Sequence, residues 1–119
     1  MNEDIIKKKS FSFAIRIVNL YKILNGRGEY VMSKQILRSG TSVGANIREA
    51  KNAESKADFI HKMGISQKEA DETLYWLELL QATDYISNEE FLSMNNDGVE
   101  VLKLIKSIII TSKNNTKKA

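Results

Sequence analysis

The most constraining feature of this chain is a spacing. Met32, Ile36, Gly40, Val43, Ile47 and Ala50 recur at intervals of 4, 4, 3, 4 and 3, which is the period of one helix face. The same stretch contains Gly40-Thr41-Ser42-Val43-Gly44, which reads as G-x-S-x-G, with Asp58 and His61 following in the order of a serine hydrolase. A nucleophile elbow needs a buried strand before its serine and a helix after it. Tyr30 to Gln35 do not alternate as a strand does, no series of parallel strands is visible, and 119 residues are too few for an α/β-hydrolase domain. The helical seam therefore wins. Ser42 is read as a helix residue, and no catalytic residue is assigned.

Gly40 and Gly44 together cost such a helix about 2 kcal/mol relative to alanine. They lie one above the other, beside Ser39, Thr41 and Ala45, so a neighbouring backbone can come close and offset that cost by van der Waals contact. The alternative is a break near Gly40, with Ser39, Thr41 or Ser42 capping a new helix. A continuous or gently bent helix, beginning near Glu29, is the expectation.

Three more helices follow from the same kind of reading. From Phe11 to Leu24 only Ser12, Arg16, Asn19 and Lys22 are polar, a narrow stripe on an otherwise apolar helix. It begins at about Asp4 or Ser10 and ends at Asn25, where Gly26-Arg27-Gly28 supplies a cap and a turn. Ser55 and Asp58 form a variant capping box ahead of the seam Phe59, Met63, Ser66, Ala70, Thr73, Leu77 and Leu80. Asp84-Tyr85-Ile86 makes the next turn. Ser87 and Glu90 then open a fourth helix, with Phe91, Met94, Gly98, Val101, Ile105 and Ile108 inward. Proline is absent, so nothing interrupts these segments. The expected fold is all-α, an antiparallel up-and-down four-helix bundle forming one domain over residues 1–112, with a disordered basic tail at 113–119.

Composition removes most chemistry. Without cysteine there is no disulfide, thiol or zinc–cysteine site. A di-iron bundle needs two Glu-x-x-His motifs, and His61 is the sole histidine, with Asp58 three residues before it and Gly64 three after. Glu69 and Glu72 read as ion-pair partners for Arg38, Arg48 or Lys68. The Gly40–Gly44 stretch lacks the Lys-Ser/Thr of a phosphate loop. No metal, cofactor or enzymatic activity is expected. The acidic start lacks the features of a secretory signal, and no apolar run approaches the roughly 20 residues of a membrane span. A cytoplasmic protein without membrane contact is the expectation.

The net charge is +3, but its distribution says more than its sum. Residues 10–53 hold 7 basic and 2 acidic residues, whereas 54–112 hold 5 basic and 11 acidic. Complementary packing between the halves or between subunits explains this, and so does a polyanion surface on the first half. For RNA or DNA the candidate contacts are Lys7, Lys8, Lys9, Arg16, Lys22, Arg27 and Lys34, with the tail lysines adding flexible charge. The first helix and the run Leu74–Leu80 carry more apolar surface than one bundle can bury, which marks partner contacts. Phe11, Ile15, Val18, Tyr75, Trp76 and Leu79 are the candidate oligomer interface. Oppositely charged halves suit head-to-tail contacts, which close into a ring.

The run Gln35-Ile36-Leu37-Arg38-Ser39-Gly40-Thr41-Ser42-Val43-Gly44-Ala45-Asn46-Ile47-Arg48-Glu49-Ala50 resembles the second-helix signature of the bacterial four-helix bundle proteins encoded in 23S ribosomal RNA intervening sequences. Phe59 to Lys62 and Ser66 to Leu77 resemble its third helix, and the likeness spans roughly residues 8–112. Many relatives read Asn-Ile-Ala-Glu-Gly where this chain has Asn46 to Ala50, so Arg48 adds a charge. The resemblance implies a homopentamer. It also links the chain to the accessory protein of diversity-generating retroelements, and so implies nucleic acid or a polymerase-type protein such as a reverse transcriptase as a partner. The functional expectation is a non-enzymatic oligomeric scaffold that binds RNA or DNA, the alternative being an accessory subunit that binds only protein.

Overall fold

In the computed structural model helices are assigned over residues 2–118, and side chains are described for residues 4–115. Four helices follow in order: α1 (Asn2–Gly26), α2 (Met32–Lys51), α3 (Lys56–Ala82) and α4 (Asn88–Lys118). Each packs on its sequence neighbours and α4 closes back on α1, so the bundle is antiparallel and up-and-down, with extents of 52 × 22 × 20 Å. Among the described residues there is no strand.

The seams turn inward as their spacing requires. Ile36, Val43, Leu77, Leu80 and Ile105 are wholly buried, with Ile17 and Leu24 of α1 facing them. Each contributes roughly 1.5–3 kcal/mol of burial. Helix α2 is continuous through both glycines. A Cβ at Gly40 would stand 2.7 Å from Ile17 Cγ1, so the missing side chain is what lets α1 come close there. Gly44 is less constrained, with Ser10 of α1 at ordinary contact distance. The α2–α3 seam is built from small polar residues. Ser66 donates to the carbonyl of Val43 at 2.8 Å, and Thr73 Oγ1 lies 2.9 Å from Ser39 Oγ, all four residues being buried.

The turns repeat one device. After α1, Glu29 N–H bonds the Leu24 carbonyl and Gly28 N–H bonds that of Asn25, with Gly28 at φ +84°. After α3, Tyr85 N–H bonds Leu80 and Asp84 N–H bonds Gln81, with Asp84 at φ +66°. Both are Schellman closures, and the second places a non-glycine residue in the left-handed region. The capping boxes form: Ser87 and Glu90 exchange both bonds, at 2.8 and 3.1 Å. Ser55 accepts from Asp58 N–H, but the shorter Asp58 side chain reaches the N–H of Glu54 instead of returning to Ser55.

Three boundaries differ from the expectations. Helix α1 begins at Asn2, near the earlier of the two expected starts and two residues before Asp4, so Lys7, Lys8 and Lys9 are helical. Helix α2 begins at Met32, because the Glu29 carboxylate stays outside and accepts from the N–H groups of Val31 and Ser33 at 3.1 and 2.6 Å. At the other end of the chain, Lys113, Asn114 and Asn115, where the expected tail begins, continue α4. No glycine or proline stops the helix there, and each added residue extends an existing ladder without a new nucleation cost. The side chains of Lys117 and Lys118 lie outside the described residues.

Candidate interaction surfaces

The hydrolase-like string assembles no hydrolase site. The Ser42 hydroxyl donates to the Arg38 carbonyl at 2.6 Å within its own helix. Asp58 is engaged at the start of α3 and lies 3.8 Å from Lys62, and His61 is exposed. Among the described residues no group of three or more His, Cys, Asp and Glu side chains could hold a metal ion. None of the described helices is long and apolar enough to cross a membrane.

The candidate cations separate into two groups. Lys9 pairs with Glu100 of α4 at 3.1 Å, and Arg16 with Asp97 at 2.5 Å and with Ser93. Arg27 donates to both oxygens of Glu90, at 3.0 and 2.7 Å, and to the Tyr85 carbonyl at 2.7 Å. These three already face acids of the same chain. Arg27 and the Ser87 backbone together hold the Glu90 carboxyl down to about 2. Lys7, Lys8, Lys22 and Lys34 are exposed, with no carboxylate within ion-pair distance among the described residues. Arg48, which the candidate list omitted, joins them at the end of the bundle that also holds Lys7 and Lys8. The charge it adds to the Asn46–Ala50 stretch was the available signal.

Of the pairings open to Glu69 and Glu72, the structure takes Arg38, at 2.8 and 2.5 Å. Trp76 donates its indole N–H to Glu72 at 3.0 Å, and this bond and Arg38 both lower the Glu72 carboxyl below its ordinary range. Trp76 is accordingly half-buried and meets the Tyr75 ring edge-on at 5.1 Å.

The apolar candidates form two outward surfaces. On α1, Phe11, Ile15 and Val18 are spaced four and three apart on a single stripe. Phe11 is 58% and Ile15 49% exposed, while Val18 is half-buried. On α3, Tyr75 is 55% exposed and Leu79 half-buried one turn on. Helices α1 and α3 are diagonal in the bundle, so the surfaces face opposite ways. Exposed Leu92 and Ile110 on α4 were missed, because in sequence they flank an ordinary core seam.

The described residues form an all-α four-helix bundle with exposed apolar stripes on α1 and α3. The chain belongs to the family described as 23S rRNA-intervening sequence protein, which matches residues 2–107. A crystal structure of a protein of unknown function from the S23 ribosomal protein family of Bacteroides thetaiotaomicron is 62% identical, with a TM-score of 0.90, over 92% of this chain and 98% of that one. No curated protein matches the chain.

Proposed function

We propose that the chain is a non-enzymatic bundle that self-associates head to tail, the α1 stripe of one copy resting on the α3 surface of the next. One observation carries this reading. Ile15 and Val18 lie between exposed Lys8 and Lys22 on α1, whereas Tyr75 and Leu79 lie among exposed Asp71 and Glu78 on α3. The two surfaces are complementary in charge and alike in apolar character, and they face apart, as a contact that closes a ring requires. Kinship with intervening-sequence proteins favours five copies. Light scattering at micromolar concentration should give a multiple of the 13.5 kDa chain mass. Ile15→Asp should give a single-chain mass with helicity kept. A native protein already of single-chain mass would sink the assembly.

Polyanion binding is a second reading, supported by Lys7, Lys8, Lys22 and Lys34, which are exposed and have no ion-pair partner among the described residues. Assembly would multiply this small basic surface. A salt titration against structured RNA and duplex DNA tests it, with affinity falling steeply as salt rises. Absence of binding at about 50 mM salt leaves a scaffold for protein alone, of which a polymerase-type partner is one case.

A further inference from the structure

At the end of the bundle where α1 begins and α2 finishes, Asp4, Lys7, Lys8, Phe11 and Arg48 line an open cleft of about 380 Å³. Residues 4, 7, 8 and 11 recur at helical spacing, so α1 supplies a carboxylate, two ammonium groups and a ring on one side. Helix α2 supplies a guanidinium opposite. Asp4 leans out to Lys51 at 3.2 Å, and that contact holds its carboxyl below the usual range. Lys7, Lys8 and Arg48 have no carboxylate within ion-pair distance among the described residues, unlike Lys9, Arg16, Arg27 and Arg38, which all do. The cleft therefore gathers three cations without an ion-pair partner among the described residues, Lys7 near enough to Asp4 to feel its charge, around an exposed aromatic face.

We propose that this cleft binds a phosphomonoester carried on a planar ring, a nucleoside 5′-monophosphate being the simplest example. The dianionic phosphate sits among Lys7, Lys8 and Arg48. Arg48 presents a planar fork that can donate two parallel bonds to phosphate oxygens, and the lysines add point charge. The base lies on the Phe11 ring, where stacking is indifferent to base identity. Each half alone is weak at so exposed a place. Recognition comes from joining them, which makes the second contact intramolecular. The cleft is formed by one copy of the chain; Phe11 and Lys8 also belong to the α1 stripe of the proposed assembly, so the titration below is repeated on Ile15→Asp, where no second copy competes for them.

The test is a calorimetric titration of the full chain at low salt with adenosine 5′-monophosphate, adenosine and inorganic phosphate, beside a 5′-hydroxyl oligonucleotide. The monophosphate should saturate below about 1 mM, with adenosine and phosphate each roughly tenfold weaker. Arg48→Ala should weaken the monophosphate about tenfold, through loss of its charge-assisted bonds. Phe11→Leu should leave phosphate affinity unchanged while removing the advantage of the monophosphate over it. Lys34→Ala, at the far end, should change nothing. Circular dichroism checks that each variant keeps its helices. Equal affinity for monophosphate and phosphate would overturn the proposal. So would indifference to Arg48→Ala, or binding of the oligonucleotide alone, which would return these lysines to a polyanion surface.

Discussion

The two ends of the bundle are built differently. At one end the α1–α2 and α3–α4 connections lie side by side, each closed by a Schellman turn, and Arg27 crosses from the first to bond Tyr85 and Glu90 of the second. Glu29, Asp84, Glu89 and Glu90 make this end acidic. The other end holds the start of α1, the α2–α3 connection and the close of α4. There Lys7, Lys8, Arg48 and Lys56 have no ion-pair partner among the described residues, and Lys51–Asp4 is a cross-helix ion pair between α1 and α2. One end ties its two connections together through Arg27 and Glu90, and the other gathers cations that face solvent on α1 and α2. Charge that neutralises itself serves the fold, and charge left free is available to a ligand.

The largest expected effect strikes between the ends. Gly40→Leu forces side-chain atoms into Ile17 and should cost about 3 kcal/mol, since overpacking at a backbone contact leaves little room to relax. Chemical denaturation reads this as a lower midpoint. The stitched end is tested by Glu90→Gln, which keeps much of the shape but removes the charge facing Arg27; about 1 kcal/mol of loss is expected at neutral pH. The same group predicts a pH window. Its folded value of about 2 lies below the ordinary 4.5, so its contribution is full above the ordinary value and is lost as pH falls toward 2. Thermal melts of the native chain should drop across that interval, and Glu90→Gln should drop less.

Asp84→Gly should go the other way. It relieves a left-handed non-glycine residue and should stabilise the chain by about 0.5 kcal/mol, a small rise in melting temperature. Least of all is Lys51→Ala at the open end, where the partner Asp4 is exposed and the denaturation midpoint should barely move. An effect as large as that of Glu90→Gln would erase the contrast between the ends.

What the sequence disclosed depended on whether a signal was local. Helix faces, capping boxes and the small-residue approach at Gly40 follow from neighbours within a few residues, and they could be read directly. The start of α2 could not, because Glu29 lies outside the helix and caps it through two backbone donors. Residues 113–115 continue α4 despite their polar composition, since an existing helix is there to extend. Among the cations, sequence could not tell Lys9, Arg16 and Arg27 from Lys7, Lys8 and Lys22. The difference lies in α4 acids about sixty to ninety residues away, brought near by the fold. Arg48 was visible as an added charge but had no address until α1 stood beside it.

The hydroxyls between α2 and α3 have a consequence for where the helices can slide. A purely aliphatic seam tolerates a shift of one turn, about 5.4 Å, because one methyl resembles another. Ser66 and Thr73 resist it: such a shift takes Ser66 from the Val43 carbonyl, at roughly 1–3 kcal/mol for a buried group left unmatched, and parts Thr73 from Ser39, each of which keeps a carbonyl of its own helix. The two bonds work as keys in a joint, fixing the height of α3 along α2. Because α1 is set against the same α2 at Gly40, the stripe on α1 and the surface on α3 are held at one vertical offset. Each copy carries the same ruler, so every contact in a stack of copies would step by the same amount.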